Sequence, residues 1–392
     1  MPTKSRPLDL CLERFRAISR AQPRAFFAPG RANLLGAHMD YNGGSVMPVA
    51  LSKGTFAAAA LRNDGLLHLE SAQFPGEIVE LPLSELKPGR TKGWSGYVEG
   101  GLWTAMERWG MLPGLDLVLH ADLPMAKGLS SSASVECVAV LAVAKLLGID
   151  PDADEMIHLA HAAETRYVGV RCGILDQTAI FLGEADSILV FDCLELTREH
   201  VPLDSKKAMV AIMDTGVARE LASSAFNQRV AECTSALSIF QEQLPGVTCL
   251  RDVSAEDYAE HGDRLPPALA KRAQHVIAEV QRTEEGSAAL RRGDIATFGS
   301  CMTRAHASLR DLFEVSTPEL DVMVAAAVAV DGCYGARLTG AGFGGCAVAL
   351  VHPAAREVFE AGVTKRYEEA TGRTTEVQWF SPAGGPQELL LS

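Results

Sequence analysis

The 392-residue sequence predicts an α+β protein of two domains, and three observations carry the prediction. The chain is too long for one compact core. Short β-rich runs crowd the first part, whereas long helical patterns fill the second half. Strand and helix signals mix without the regular βαβ alternation of a doubly wound sheet.

Four strand runs open the chain between about Arg24 and Ala72: "RAFFAPG", "SVMPVAL", "TFAAAAL" and "LLHLESA", broken by Gly, Asn and Asp. "GLDLVLHADLP" reads as another strand ending at Pro124. "SSSASVECVAVLAVAKLLGI" has the length and Ala, Leu and Val content of a buried helix with serines at its mouth. A second helix, about Ala153 to Tyr167, precedes the loop "VGVRCGILDQ". "DSILVFDC" and "KAMVAIMDTG" are strands flanking a polar stretch, "LELTREHVPLDSKK", where the domain boundary is expected. That gives domains 1–205 and 206–392. Helices are then expected at about 217–242, 264–284, 293–310 and 317–330. "YGARLTGAGFGGCAVALV" reads as strand, glycine turn and strand, followed by a helix and the strand "TTEVQWF".

A 47% hydrophobic, 22% charged composition is that of an ordinary globular protein. The net charge of −13 argues against a nucleic-acid partner, although a local site can still oppose the global sign. No apolar run approaches the ~20 residues of a membrane span, and "MPTKSRPLDLCLERF" lacks a signal-peptide core. Nine cysteines, scattered without a Cys-x-x-Cys pair, predict reduced thiols and a cytoplasmic location.

Three stretches point to chemistry. In "LPMAKGLSSSAS" a strand ends, Gly128 turns the chain, and Ser130, Ser131 and Ser132 open a long apolar helix. Free N–H groups and the positive end of the helix suit a phosphate chain, and the spacing is not that of a Walker P-loop. The same serines would also serve as a plain N-cap with two bystanders. "LTGAGFGGCAVALV" places four glycines between apolar strands, which suits close backbone approach or simply a bulged hairpin. "GILDQTAI" sets Asp176 in a loop, where a carboxylate can orient a hydroxyl or merely cap a turn.

Taken together and in this order, the pieces resemble the galactokinase branch of the GHMP small-molecule kinases over nearly the whole chain. "GRANLLGAHMDYNGG" resembles its sugar signature, "LPMAKGLSSSAS" its ATP-phosphate motif, "GAGFGGC" its third motif and "GVRCGILDQ" the segment of its catalytic aspartate. "LASSAFNQRVAEC" and "SLRDLFEVSTPELD" are similar to family segments in the second half. The resemblance implies the two-domain GHMP kinase fold, with the active site in the cleft between the domains. It implies Asp176 as the catalytic carboxylate, with Arg31 beside it. Gly128, Leu129, Ser130, Ser131 and Ser132 would cradle the ATP phosphates, and Trp94 and Tyr97 would flank adenine. Ser131, Ser132 and Glu164 would face Mg²⁺. His38, Asp40 and the Gly173 backbone would hold sugar hydroxyls. Sugar and ATP are the expected partners, with no nucleic acid and no membrane; oligomeric state is not legible.

Several positions depart from the family's pattern. Ala37 stands where galactokinases carry a glutamate that accepts a hydrogen bond from the sugar 6-hydroxyl. Arg171 replaces a usual proline, Phe226 a common sugar-contacting tyrosine, and Lys127 a small residue in the phosphate loop. A glutamate ~4 Å from a C6 carboxylate would repel it by about 4 kcal/mol at an effective dielectric of ~20. Alanine removes that penalty, and Arg171 would supply attraction. For galactose the same change forfeits one charge-assisted hydrogen bond, roughly 1.5–3 kcal/mol. "LGAH" with Arg171 is thus similar to the galacturonokinase branch, and D-galacturonate is the favoured substrate, with D-galactose as alternative. L-arabinose would tolerate Ala37 but give Arg171 no role. A catalytically silent sugar sensor is the reading from another class.

Overall fold

The computed structural model describes residues 6–90, 93–123, 127–217 and 222–391. Pro124, the expected end of one strand, and part of the expected start of the helix at about 217 lie outside them. The strands β1 (Arg24–Asn33), β3 (Pro48–Leu61), β4 (Leu66–Ser71), β5 (Ile78–Pro82), β6 (Leu115–Ala121) and β13 (Gln387–Leu389) form one sheet in the order β13-β1-β3-β6-β4-β5. Only β4 and β6 pair in parallel. "TFAAAAL" is apolar on both faces because both are covered. Ala58 and Ala60 meet Cys11, Leu12 and Phe15 of helix α1 (Pro7–Ile18). Ala57 and Ala59 turn to the opposite layer of helices.

That opposite layer contains α2 (Trp94–Trp109), α3 (Ser131–Leu147), α4 (Ala153–Ala162) and α5 (Leu175–Phe181). Helix α3 is buried almost all round from Ala133 to Ala144, which its small and branched apolar residues allow, and Gly148 ends it in the left-handed region. The helix expected to reach Tyr167 stops at Ala162 and continues as a π-helical turn over Ala163–Val168. This wider turn delivers Glu164 to the mouth of α3.

A three-stranded sheet, β2 (Ser45–Val46), β7 (Ser187–Asp192) and β8 (Arg198–Pro202), follows the order β2-β7-β8. Strand β8 forms inside the polar stretch read as the domain boundary. Pairing with β7, as Ile188↔Val201 shows, outweighs its charged composition. The second half builds a four-stranded antiparallel sheet, β10-β11-β9-β12, from β9 (Met209–Asp214), β10 (Cys333–Leu338), β11 (Cys346–Val351) and β12 (Val377–Phe380). Helices α6 (Ala222–Gln241), α7 (Ala255–His261), α8 (Pro267–Arg291), α9 (Ile295–Asp311), α10 (Pro318–Val328) and α11 (Arg356–Thr371) complete it. Helix α9 lies directly on β10: a Cβ at Gly299 would meet the Tyr334 carbonyl oxygen at 2.2 Å, so only glycine permits that crossing. The chain then returns, and β13 pairs with β1 through Ala25↔Leu389.

The mouth of α3 is pinned to the first sheet by Ser134, which is fully buried. Its Oγ donates to the Ala28 carbonyl at 2.8 Å and accepts the Thr55 N–H at 3.1 Å. Ser134→Ala leaves both strand groups without that partner. We expect it to lower unfolding stability by about 1–3 kcal/mol, read from urea denaturation. An unchanged midpoint would show that the helix is held by apolar packing alone.

Candidate active site

The end of β1, the turn before α3, the start of α5 and the glycine turn after β10 converge on a cleft of about 280 Å³. At its centre Arg31 is nearly buried and donates from Nε and Nη2 to Asp176 Oδ1, at 2.8 and 2.5 Å. Its Nη1 donates to the Gly128 carbonyl at 2.7 Å, and its backbone N–H to the Leu129 carbonyl at 3.1 Å. Ser130, in the left-handed region at φ 54°, donates its hydroxyl to Asp176 Oδ2. The carboxylate is therefore fixed from both sides by groups belonging to the turn before α3 and to β1.

On one side of Asp176 lie Asp40, Gly173, His38, Ala37 and Phe226. A Cβ at Gly173 would fall 2.3 Å from Asp40 Oδ2, so glycine is what lets that carboxylate approach the loop. Burial, then the neighbouring Asp176 charge, push Asp40 up to about 6. His38 bonds Tyr41 Oη through Nδ1 at 2.9 Å. Its buried Nε2 makes no hydrogen bond of ordinary geometry among the described residues. Burial, then the positive field of His275 and Arg337, hold the ring neutral, its pKa lowered to about 3. Phe226 packs against His38 with ring centroids 5.7 Å apart. A polar pocket with neutral and anionic acceptors is suited to a polyhydroxyl compound.

On the other side, Ser131 and Ser132 line both this cleft and a second hollow containing Trp94, Tyr97 and Phe74. Trp94 stacks on Phe74, the planes only 3° apart, which presents a flat aromatic wall. Ser132 Oγ lies 3.4 Å from Glu164 Oε1. Burial, then Asp176, raise Glu164 to about 7. Gln177 bridges two acids, donating to Glu164 Oε2 at 2.7 Å and to Glu136 Oε2 at 3.0 Å. Among the described residues no group of three or more His, Cys, Asp or Glu would by itself hold a metal. One carboxylate and hydroxyls at the mouth of α3 nonetheless fit Mg²⁺, which keeps waters and takes substrate phosphates.

Two expected positions differ. Arg171 is exposed and absent from the cleft wall: Val170 and Cys172 face inward and the arginine between them faces solvent. It therefore cannot serve as the attractive charge at the sugar. Leu129 packs its side chain in the core and lines neither hollow. Lys127, unexplained by sequence, reaches across to β9, its Nζ 2.9 Å from Asp214 Oδ1. Sequence reasoning missed Arg337, Gln177, Glu136 and Glu279. The signals for Arg337 and Gln177 were a lone charge in an apolar strand and an amide next to Asp176.

The comparisons agree with this geometry. Residues 96–184 match the GHMP kinases N terminal domain, 287–369 the GHMP kinases C terminal, and 13–61 the galactokinase galactose-binding signature. A galactokinase of Roseiflexus sp. (strain RS-1) is 41% identical over 366 residues, covering 93% of each chain. One from Streptococcus thermophilus is 38% identical and covers 96% of this chain and 98% of its own. The crystal structure of Lactococcus lactis galactokinase complexed with galactose superposes with a TM-score of 0.92 at 35% identity, covering 96% of this chain and 98% of that one. With both GHMP domains matched, relatives aligned across nearly the full length and the fold shared, the chain belongs to the galactokinase family of GHMP kinases and is a sugar kinase.

Proposed function

We propose that the protein transfers the γ-phosphoryl group of ATP to O1 of a galacto-configured sugar. The observation that carries this reading is Asp176, held by Arg31 and Ser130 in the cleft that shares Ser131 and Ser132 with the second hollow. Asp176 takes or directs the proton of the anomeric hydroxyl. Arg31 keeps the carboxylate oriented and stabilises charge on the transferring group. Ser130 to Ser132 and the Gly128 turn receive the phosphates, while Trp94 and Tyr97 flank the base. Ser132 and Glu164, with Ser131 near, would hold Mg²⁺, which would supply charge neutralisation on the phosphates. Positioning and electrostatics are the main needs of phosphoryl transfer. We take the domains as 1–205 and 206–392, supported by the change of sheet at β9.

For the sugar, the relatives support D-galactose over the D-galacturonate favoured from sequence, since Arg171 faces away. The signature match at residues 13–61 supports the same choice. A second reading, D-galacturonate, keeps one favourable observation: Ala37 presents only a methyl group to the cleft.

Three outcomes are expected. Asp176→Asn should lower kcat by about 10²–10⁴-fold with little change in the sugar KM, measured by ADP release. Loss of KM alone would reduce Asp176 to a binding group. Asp40 must be ionised to accept sugar hydroxyls, so the sugar KM should rise as pH falls through about 6. Its raised pKa also means folding takes up a proton, so stability is lost as pH rises from 3.8 through about 6. Asp40→Asn should then raise Tm by about 2–4 °C at pH 7.5 and not at pH 4, by calorimetry.

A further inference from the structure

The second hollow contains a side chain whose hydrogen-bonding end is fixed by the sheet itself. Strands β4 and β6 pair in parallel up to Ser71↔Leu119, and the Ala72 N–H donates to the Leu119 carbonyl at 2.9 Å. Beyond that point a side chain continues the ladder: the Ala121 N–H donates to Gln73 Oε1 at 2.9 Å. Only the oxygen of a carboxamide can accept, so this bond settles which end of the group is which. The Gln73 backbone N–H donates to Ser71 Oγ at 3.3 Å, which holds the residue at its other end. Gln73 Nε2 is left with no partner among the described residues. Gln73 is half-buried and lines the hollow with Phe74 and Trp94. The aromatic wall is fixed as well, since Trp94 Nε1 donates to Glu77 Oε2 at 2.8 Å.

Ser131 and Ser132 line both hollows, whereas Gln73, Phe74 and Trp94 line only the second. A nucleotide with its phosphates at the serines therefore extends its base toward Gln73. Ribose is attached at N9, so the purine edge farthest from the phosphates carries N1 and the 6-substituent. At position 1 adenine presents a lone pair, whereas hypoxanthine and guanine present an N–H. The amide NH₂ of a glutamine can only donate. We propose that Gln73 reads the base of the phosphoryl donor, its Nε2 donating to N1 of adenine, and so selects ATP over 6-oxopurine nucleotides. This rests on the reading of the second hollow as the base site and adds the residue that chooses among purines. Against a 6-oxopurine the amide sets donor against donor and leaves both unpaired, which should weaken ITP roughly 10- to 100-fold relative to ATP.

The test compares ADP with IDP by the Tm shift of the full chain, and ATP with ITP by kcat/KM for phosphorylation of D-galactose, in the parent and in Gln73→Glu. Glutamate keeps an oxygen for the Ala121 N–H but turns the free donor into an acceptor. The parent should favour the adenine nucleotide in both measurements. Gln73→Glu should raise the ITP:ATP ratio by roughly tenfold or more, with the sugar KM unchanged. The added charge repels both nucleotides alike, so the ratio isolates the base. Should Gln73→Glu not fold, 1-deaza-ADP, which lacks the N1 lone pair, decides with the parent: it should shift Tm no more than IDP does. Equal acceptance of ATP and ITP by the parent, a ratio unmoved by Gln73→Glu, or 1-deaza-ADP binding as well as ADP overturns the assignment, and phosphorylation of D-galactose in the same assays leaves the kinase reading intact. A parent that prefers ITP has its amide opposite position 6, which overturns the assignment as well. A preference for ADP that Gln73→Glu reverses, with no sugar phosphorylated, supports the assignment and sinks the kinase reading.

Discussion

The guanidinium of Arg31 is the interaction on which the site depends. One side chain bonds the carboxylate that opens α5 and the carbonyl of the turn that opens α3, while its own backbone belongs to β1. Three segments distant in sequence are thereby set at fixed separations. A buried arginine is tolerable only when its charge is met and its donors are used, and here three of its bonds go to two partners. Ser134 performs the neutral counterpart of this task one turn into the helix, tying α3 to β1 and β3. Lys127 then fastens the same turn to β9 in the second half. The turn before α3 is thus clamped at successive points by an ion pair, a hydroxyl and a second ion pair.

Charge is divided across the cleft. Asp40, Glu164 and Glu136 are all pushed up by burial. The histidines His38 and His275 are pushed down by the same cause. Desolvation therefore makes the acids reluctant to ionise and the imidazoles reluctant to protonate, so the site holds neutral hydrogen-bonding groups beside a few fixed charges. Gln177 is suited to such a place, since an amide can donate to two carboxyls without adding charge of its own.

Much of this was legible in sequence because it depended on local pattern. The serine mouth of α3, the glycine turn between β10 and β11, and the helices of the second half follow from capping, glycine content and periodicity. Their observed ends lie within a few residues of expectation, except that α8 runs on to Arg291. What was not legible depended on distant partners. Strand β8 looks like a charged loop until β7 is beside it, and β13 is three residues whose only signal is pairing with β1. The outward turn of Arg171 and the inward burial of Arg337 could not be told from composition, because each is set by which face of a loop or strand meets the cleft. A reading that assigned the attractive charge to Arg171 chose the arginine nearest in sequence to Asp176.

The pairing of β13 with β1 has a consequence for how the chain is made. The first sheet keeps an open edge along Ala25 to Phe27 until residues 387–389 have left the ribosome, because no other strand occupies that register. Arg24 likewise waits for Glu388, which it bonds through two nitrogens at 2.7 Å each. Until then the first sheet has an exposed β1 edge besides the β5 edge that the finished fold keeps, the kind of surface that pairs with a neighbouring chain. A nascent chain stalled before residue 387 presents its β1 edge to chaperones or to other nascent chains.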